Sequence, residues 1–175
     1  MYVKSQKINA DDAIVAIQAR TDSSRLPGKC FLPVNGIPMI ILAAKRASNR
    51  GKKVIVLTSN SSSDDRLVSI LDKESISYFR GPKDNVLKRC VLAFKNYNDN
   101  QLIFRLTADN VLPCGELLNE IESFFRSKNL DYIHTTDIRS GLPFGLSAEL
   151  TLLKYLREAN KNTESSYDRE HVTPY

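Results

Sequence analysis

Short apolar runs that alternate with helix-spaced segments constrain this chain more than any other feature of its sequence. Ala13–Ala19 (AIVAIQA), Val54–Thr58 (VIVLT), Ile76–Phe79, Leu102–Thr107 (LIFRLT) and Leu130–His134 are short and largely apolar, several of them rich in β-branched residues. A strand exposed on one face would alternate polar and apolar positions, so uniformly apolar runs of this length read as strands buried on both faces. Helical segments fall between them. Pro38 suits the first turn of a helix that runs to about Arg50 and is closed by Gly51. The cap-rich Ser61–Asp65 starts a second helix that ends near Glu74, and Asp84 or Asn85 caps a third from Val86 to about Tyr97. Gly115–Lys128 places Leu117, Leu118, Ile121, Phe124 and Phe125 on one face of a fourth. After a turn at Gly141–Gly145, Leu146–Leu152 reads as a further strand leading into a last helix, and Asn160–Ser166 reads as a polar loop.

Strand and helix in alternation at this spacing specify an α/β fold, with a mainly parallel sheet covered by helices on both faces. Such sheets bind ligands beyond the carboxyl ends of their strands, where the strand order switches. Polar residues collect at those positions. Gln18, Arg20, Arg25 and Lys29 follow the first strand, Thr58, Ser59 and Asn60 the second, Arg80 the third and Asp109 the fourth.

Composition narrows the function classes. The 175 residues fit one domain, divided as a polar leader over residues 1–12 and a single folded unit over 13–175. The leader lacks the apolar segment of a signal peptide, and no apolar run reaches the roughly 18 residues of a membrane span. The cytoplasm is therefore the expected compartment and no membrane partner is expected. Cys30, Cys90 and Cys114 are widely spaced and odd in number, which argues for buried thiols rather than disulfides or ligands. His134 and His171 lie far apart, so no zinc spacing exists. The net charge of +5 suits an anionic partner. Aromatic residues do not interleave with the basic ones, which argues against nucleic acid. The Lys45–Lys53 cluster reads as a solvated helix end.

The richest chemistry lies in Gln18-Ala-Arg-Thr-Asp-Ser-Ser-Arg-Leu-Pro-Gly-Lys29. One post-strand loop there carries three cations, two serines and a glycine. Arginine offers forked donors, lysine a point charge, and glycine lets backbone N–H groups approach phosphate oxygens. The loop is not a Walker A sequence, because Ser23 stands at the first glycine's place and Cys30 follows the lysine. A solvated charged loop is the alternative reading of the same residues.

That stretch, with Leu32-Pro33 after it, resembles the start of the cytidylyltransferases that activate acidic sugars, the acylneuraminate and KDO types, and most of all the spore-coat polysaccharide branch. The resemblance continues through Thr58-Ser59-Asn60, Phe79-Arg80-Gly81 with Asp84, and Arg105-Leu-Thr-Ala-Asp109, and ends in Arg169-Glu-His-Val-Thr-Pro-Tyr175. It implies a Rossmann-like nucleotidyltransferase fold of GT-A-like, three-layer type. It implies CTP as donor, a 2-keto-3-deoxy sugar acid as acceptor, pyrophosphate as leaving group, a role in surface polysaccharide synthesis, and a homodimer. Arg20, Lys29 and Asp109 would be catalytic, the first two holding the triphosphate and Asp109 binding Mg²⁺, a hard cation that prefers oxygen ligands. Ser23 and Arg25 would support the loop. Gln18, Ala19, Thr58, Ser59, Arg80, Asp84 and Arg105 would complete the nucleotide site, and Glu149, Arg169 and His171 would meet the acidic sugar.

Other roles stay open for several of these. Asp84 suits a helix cap, Arg105 an ion pair with a neighbouring acid, Asp109 a turn, and Asp64 and Asp65 a helix start. The pattern also breaks in places. Ala108-Asp-Asn-Val-Leu112 departs from the family's Gly-Asp-x-Pro-Leu, and Gly145-Leu-Ser-Ala-Glu149 puts Ser147 where a second metal carboxylate is expected. The sequence stops where the family is expected to continue into a further C-terminal part. Two other classes therefore stand beside the cytidylyltransferase: a nucleotide-binding domain without turnover, and a GT-A-like glycosyltransferase using a nucleotide sugar.

Overall fold

The computed structural model describes residues 12–23, 26–136, 140–143 and 145–174. In chain order the strands are β1 (Ile14–Gln18), β2 (Pro33–Val34), β3 (Ile37–Pro38), β4 (Val54–Ser59), β5 (Tyr78–Gly81), β6 (Leu102–Thr107), β7 (Tyr132–His134) and β8 (Glu149–Leu152). The helices are α1 (Met39–Ala47), α2 (Asp65–Lys73), α3 (Val86–Ala93), α4 (Gly115–Ser127), α5 (Leu153–Asn162) and α6 (Ser166–His171). A six-stranded sheet runs β5-β4-β1-β6-β8-β7. Its first four strands are parallel, while β8 pairs antiparallel with both β6 and β7. The expected α/β, mainly parallel mixed sheet is the fold found.

The two faces of the sheet follow from the strand period. Val15 and Ile17 of β1, with Leu102, Phe104 and Leu106 of β6, enter a core against α1, α2 and α4. Ile14 and Ala16 of β1, with Ile103 of β6, point the other way into a core against α3 and α5. Successive residues alternate between faces, so an apolar run with no polar position is what a doubly covered strand requires. Phe124, expected on the apolar face of α4, is 51% exposed, with the Lys128 ammonium over its ring. The buried stripe of α4 is Leu118, Ile121 and Phe125, with Glu122 among them.

Local differences from the expected elements have local causes. The α1 helix starts after Pro38, which belongs to the small β2–β3 hairpin. Asn35 and Gly36, with φ of 49° and 79°, make the turn, the left-handed pair that a two-residue hairpin needs. The third strand begins at Tyr78 rather than Ile76, and the third helix stops at Ala93 rather than near Tyr97. The segment expected as a loop at Asn160–Ser166 contains the end of α5 and the start of α6. Ser165 caps that short helix by accepting from the Asp168 N–H.

One topological fact positions the site. The chain leaves β1 toward β4 on one side, and β6 returns to pair on β1's other side. The carboxyl ends of β1 and β6 are thus adjacent at a reversal of strand order, where a crevice opens. Backbone pairing continues across it from Ala108 N–H to the Gln18 carbonyl at 3.0 Å.

Candidate functional site

The loop after β1 is anchored by a buried carboxylate. Asp64 is fully buried. Its Oδ1 accepts from the Thr21 N–H at 2.8 Å and the Thr21 hydroxyl at 2.7 Å, and its Oδ2 from the Ser59 N–H at 3.1 Å and hydroxyl at 2.5 Å. Burial raises the Asp64 pKa, but the bonds from Ser59 and Thr21 outweigh it, and the group lies below the ordinary carboxylate value. Asp64 stands at the start of α2 as expected, and its side chain, rather than capping that helix, ties the first loop to the end of β4. Farther along, the Gly28 N–H donates to the Thr21 carbonyl at 2.7 Å, with Gly28 at φ 71°, and closes the loop. A 3₁₀ turn at Lys29–Phe31 follows. It aims Lys29 back over the sheet and buries Cys30, whose thiol is pushed up to about 11 chiefly by burial. That thiol is inert at neutral pH.

Between this loop, β6 and α6 lies a cleft of about 240 Å³. Lys29 and Asp109 face each other there, Nζ to Oδ2 at 2.5 Å. Burial pushes Asp109 up, while the hydrogen bonds from Lys29 and Thr107 pull it further down, so its pKa is lowered and it is ionised at neutral pH. Arg20 lies 3.7 Å from Asp22 and 3.8 Å from Glu170, loose contacts that leave its guanidinium exchangeable. Arg105 bonds Glu149 at 2.5 Å and Gln18 Oε1 at 3.3 Å. Three buried donor nitrogens on the lining have no hydrogen-bond partner among the described residues: Gln18 Nε2, Arg105 Nε and Arg89 Nε. Unsatisfied buried donors are costly, and all three residues border the same cleft.

The structure thus brings together Gln18, Ala19, Arg20, Ser23, Lys29, Arg105, Asp109 and His171 on the cleft. Arg25 lies outside the described residues. Thr58 and Ser59 are fully buried beneath the loop rather than on the cleft lining. Arg80 is engaged elsewhere, donating to the Ser59 carbonyl at 3.0 Å and the Ser61 carbonyl at 2.7 Å and pairing with Asp65 at 2.8 Å. Asp84 is exposed, and the cap of α3 is Asn85, which accepts from the Lys88 N–H at 2.8 Å. Arg169 donates to the Thr163 carbonyl at 3.2 Å, off the cleft. His171 reaches the cleft packed on Tyr167, ring centroids 4.2 Å apart. Glu149 has one oxygen on Arg105 and the other accepting from the Thr173 hydroxyl at 2.6 Å.

Sequence reasoning missed Arg89 and Glu170 on the lining. Glu170 sits within the Arg169-Glu-His motif and was passed over for its neighbours. Arg89 carries one available signal: it occupies the helix face shared by Val86 and Cys90, where a solvated cation would not sit.

Asp109 stands without a cluster, since no group of three or more His, Cys, Asp or Glu could hold a metal among the described residues. The donor set still fits a Mg²⁺ that arrives with phosphates, which uses one or two protein carboxylates, phosphate oxygens and water. A larger hollow of about 380 Å³ lies against Tyr132, Tyr155 and Pro174. Its charged lining residues are Asp131 and Glu158, the wrong sign for phosphate.

The cytidylyltransferase family model matches residues 14–175. The chain belongs to the cytidylyltransferase family. It is 35% identical over 161 residues to an uncharacterised protein of Methanocaldococcus jannaschii, covering 91% of this chain and 64% of that protein. It is 28% identical over 173 residues to the spore coat polysaccharide biosynthesis protein SpsF of Bacillus subtilis, covering 94% and 70%. Among solved structures, a cytidylyltransferase from Leptospira borgpetersenii superposes with a TM-score of 0.84 at 29% identity, over 93% of this chain and 69% of that one. The chain thus spans roughly two thirds of the length of these relatives. The cleft sets cations on a pinned loop opposite a carboxylate, a charge arrangement that suits an anionic ligand.

Proposed function

We propose that this chain binds CTP in the β1–β6 cleft and transfers its cytidylyl group to an acidic sugar of the 2-keto-3-deoxy class for surface polysaccharide synthesis. The observation that carries the reading is the set of Arg20, Lys29 and Asp109 on one cleft, built on a loop that Asp64 fixes in place. In the reaction a sugar hydroxyl attacks the α-phosphorus. The new O–P bond forms as the bond to the bridging oxygen breaks, the hydroxyl proton passes to water, and pyrophosphate leaves. Little covalent chemistry falls to the protein, so positioning and charge neutralisation dominate. Lys29 and Arg20 take the phosphate oxygens, exchanging their present carboxylate contacts for stronger anions. Gln18, with an unpartnered Nε2, offers a neutral donor beside them. Arg105 and His171 lie on the same lining and suit an acceptor carboxylate. Mg²⁺, when bound, neutralises charge on the phosphates, and Asp109 is the residue to hold it. The reading places the protein in the cytoplasm as a homodimer; among the described residues no helix is long and apolar enough to cross a membrane.

A second reading, binding without turnover, has its own support. Ser147 stands where a second carboxylate is expected, and both oxygens of nearby Glu149 are engaged. One experiment separates the outcomes. A thermal-shift titration with CTP, UTP, ATP and GTP, with and without Mg²⁺, should show selective stabilisation by CTP, about 2.7 kcal/mol at a hundred times the dissociation constant. Pyrophosphate release with acidic sugars then reports turnover. Equal shifts with all four triphosphates, or none, would overturn the CTP assignment.

A further inference from the structure

Arg89 is 1% exposed, on the second turn of α3. Among the described residues its guanidinium donates one hydrogen bond, Nη1 to the Pro82 carbonyl at 3.1 Å, and no carboxylate pairs with it. Nε is buried without a partner. Its stem runs so close under the end of β5 that a Cβ on Gly81 would lie 2.9 Å from Arg89 Cγ, so the glycine is what admits the arginine. Buried charges in proteins are normally paired, and Lys52, the other buried cation among the described residues, is bonded to Glu122 at 2.5 Å. Arg89 instead lines the same cleft as Arg20 and Lys29. Burial and the like charge of Arg20 both depress its pKa, so two guanidiniums that repel each other border one cavity. The charges of Asp64 and Asp22 offset part of that cost, and an anion bound in the cleft would offset more.

We propose that Arg89 is a phosphate-binding residue that borders the floor of the cleft and presents its guanidinium charge to the phosphates of the bound nucleotide. The proposal rests on the triphosphate reading of the cleft, and its test is framed so that the two fail separately. A buried unpaired arginine replaced by an apolar chain of similar length should not weaken the fold. Arg89→Met should therefore keep or raise the melting temperature while losing anion affinity, a combination that a merely structural arginine would not give.

Calorimetric titration of the wild type, Arg89→Met and Arg89→Lys with inorganic tripolyphosphate, CTP and UTP decides it. The expected result is a dissociation constant for tripolyphosphate and for CTP at least tenfold higher in Arg89→Met, with Arg89→Lys intermediate because it keeps the charge and loses the fork. Wild-type affinity for tripolyphosphate in Arg89→Met would overturn the proposal, as would a wild type that does not bind tripolyphosphate. If tripolyphosphate binding is lost in the mutant while wild-type CTP and UTP bind alike, Arg89 stands and the CTP assignment falls. Should both variants unfold, the wild-type Nε–H resonance of Arg89, followed by ¹⁵N NMR, must shift on tripolyphosphate addition; a resonance that does not move counts against the proposal.

Discussion

The two ends of the parallel sheet handle charge in opposite ways. At the amino end, Glu122 of α4 accepts from Lys52 at 2.5 Å, from Arg126 at 2.7 Å and from the Ala13 N–H at 3.3 Å. Lys52 and Glu122 are each 8% exposed, and the Lys52 ammonium also lies 5.6 Å from the Phe104 ring. Both oxygens of the carboxylate are used, and the cluster joins the starts of β1 and β4 to α4. At the carboxyl end, Arg20 is loosely held, Arg89 has no carboxylate partner among the described residues and Lys29 shares Asp109, a partner that Mg²⁺ would compete for. Closed polar networks fix structure; open ones keep binding capacity in reserve. The difference assigns stability to the amino end and, on the proposed reading, leaves the carboxyl end for a ligand.

The largest effect that can break this contrast is at the amino end. Glu122→Ala strands a buried ammonium and should cost about 3–5 kcal/mol in urea unfolding. The folded fraction should still bind CTP as the wild type does. A loss of CTP affinity at unchanged stability would erase the division between the two ends.

Next come the cleft cations. Lys29→Ala and Arg20→Ala each remove a charge-assisted contact of about 1.5–3 kcal/mol to a bound phosphate, which calorimetry should read as roughly 10- to 150-fold weaker CTP binding. Unfolding midpoints should fall only slightly, because the carboxylate pairs of both cations are partly exposed and worth little to the fold. Unchanged CTP affinity in both mutants would sink the loop assignment.

Acid should act on both ends through the same sign. Asp64, Asp109 and Glu122 all have pKa values lowered in the folded protein, by hydrogen bonds and cations that outweigh burial. A depressed folded pKa gives stability that is present above the ordinary value and lost as pH falls toward the folded one. Loss should begin near the ordinary Glu value of 4.5 and deepen below the ordinary Asp value of 3.8. Asp64→Asn should flatten that acid limb in urea midpoints measured against pH, and should weaken CTP binding by loosening Thr21. An acid limb as steep as the wild type's would show that Asp64 contributes nothing through its charge.

How much of this was legible in the sequence depended on the range of the interaction. The bounds of β6 coincide with the apolar run at Leu102–Thr107, because a doubly buried strand writes itself into every position. Lys29 and Asp109 are recognisable because each sits in a local motif just past a strand. The β2–β3 hairpin had a signal in Asn35-Gly36, but two-residue strands carry no periodicity to support it. Asp64 was legible as the start of a helix but not as the anchor of the first loop, because its partner Thr21 is 43 positions away. Arg89 was missed because a charged residue in an amphipathic helix reads as solvent-facing, although its place on the face of Val86 and Cys90 points the other way and its packing against Gly81 confirms it.

The smallest expected effect concerns Ser147, on the strip between the cleft and the sheet edge. Its backbone carbonyl accepts from the Asn110 side-chain amide, which sets the segment beside the residue that follows Asp109. A hydroxyl there is a poor ligand for a hard divalent cation, and Glu149 is already committed to Arg105 and Thr173. Ser147→Asp adds an oxygen anion near Asp109 without touching Arg20 or Lys29. If a missing carboxylate limits turnover, the rate of pyrophosphate release at saturating CTP should rise by up to about tenfold, equivalent to roughly 1.4 kcal/mol of barrier. The Mg²⁺ needed for half-maximal rate should fall alongside. CTP affinity measured without Mg²⁺ should weaken slightly, because the added charge repels phosphate. A variant that shows this repulsion but no change in Mg²⁺ requirement would mean that residue 147 does not reach the metal. The carboxyl end of the sheet would then rely on Asp109 as its sole protein anchor for the cation.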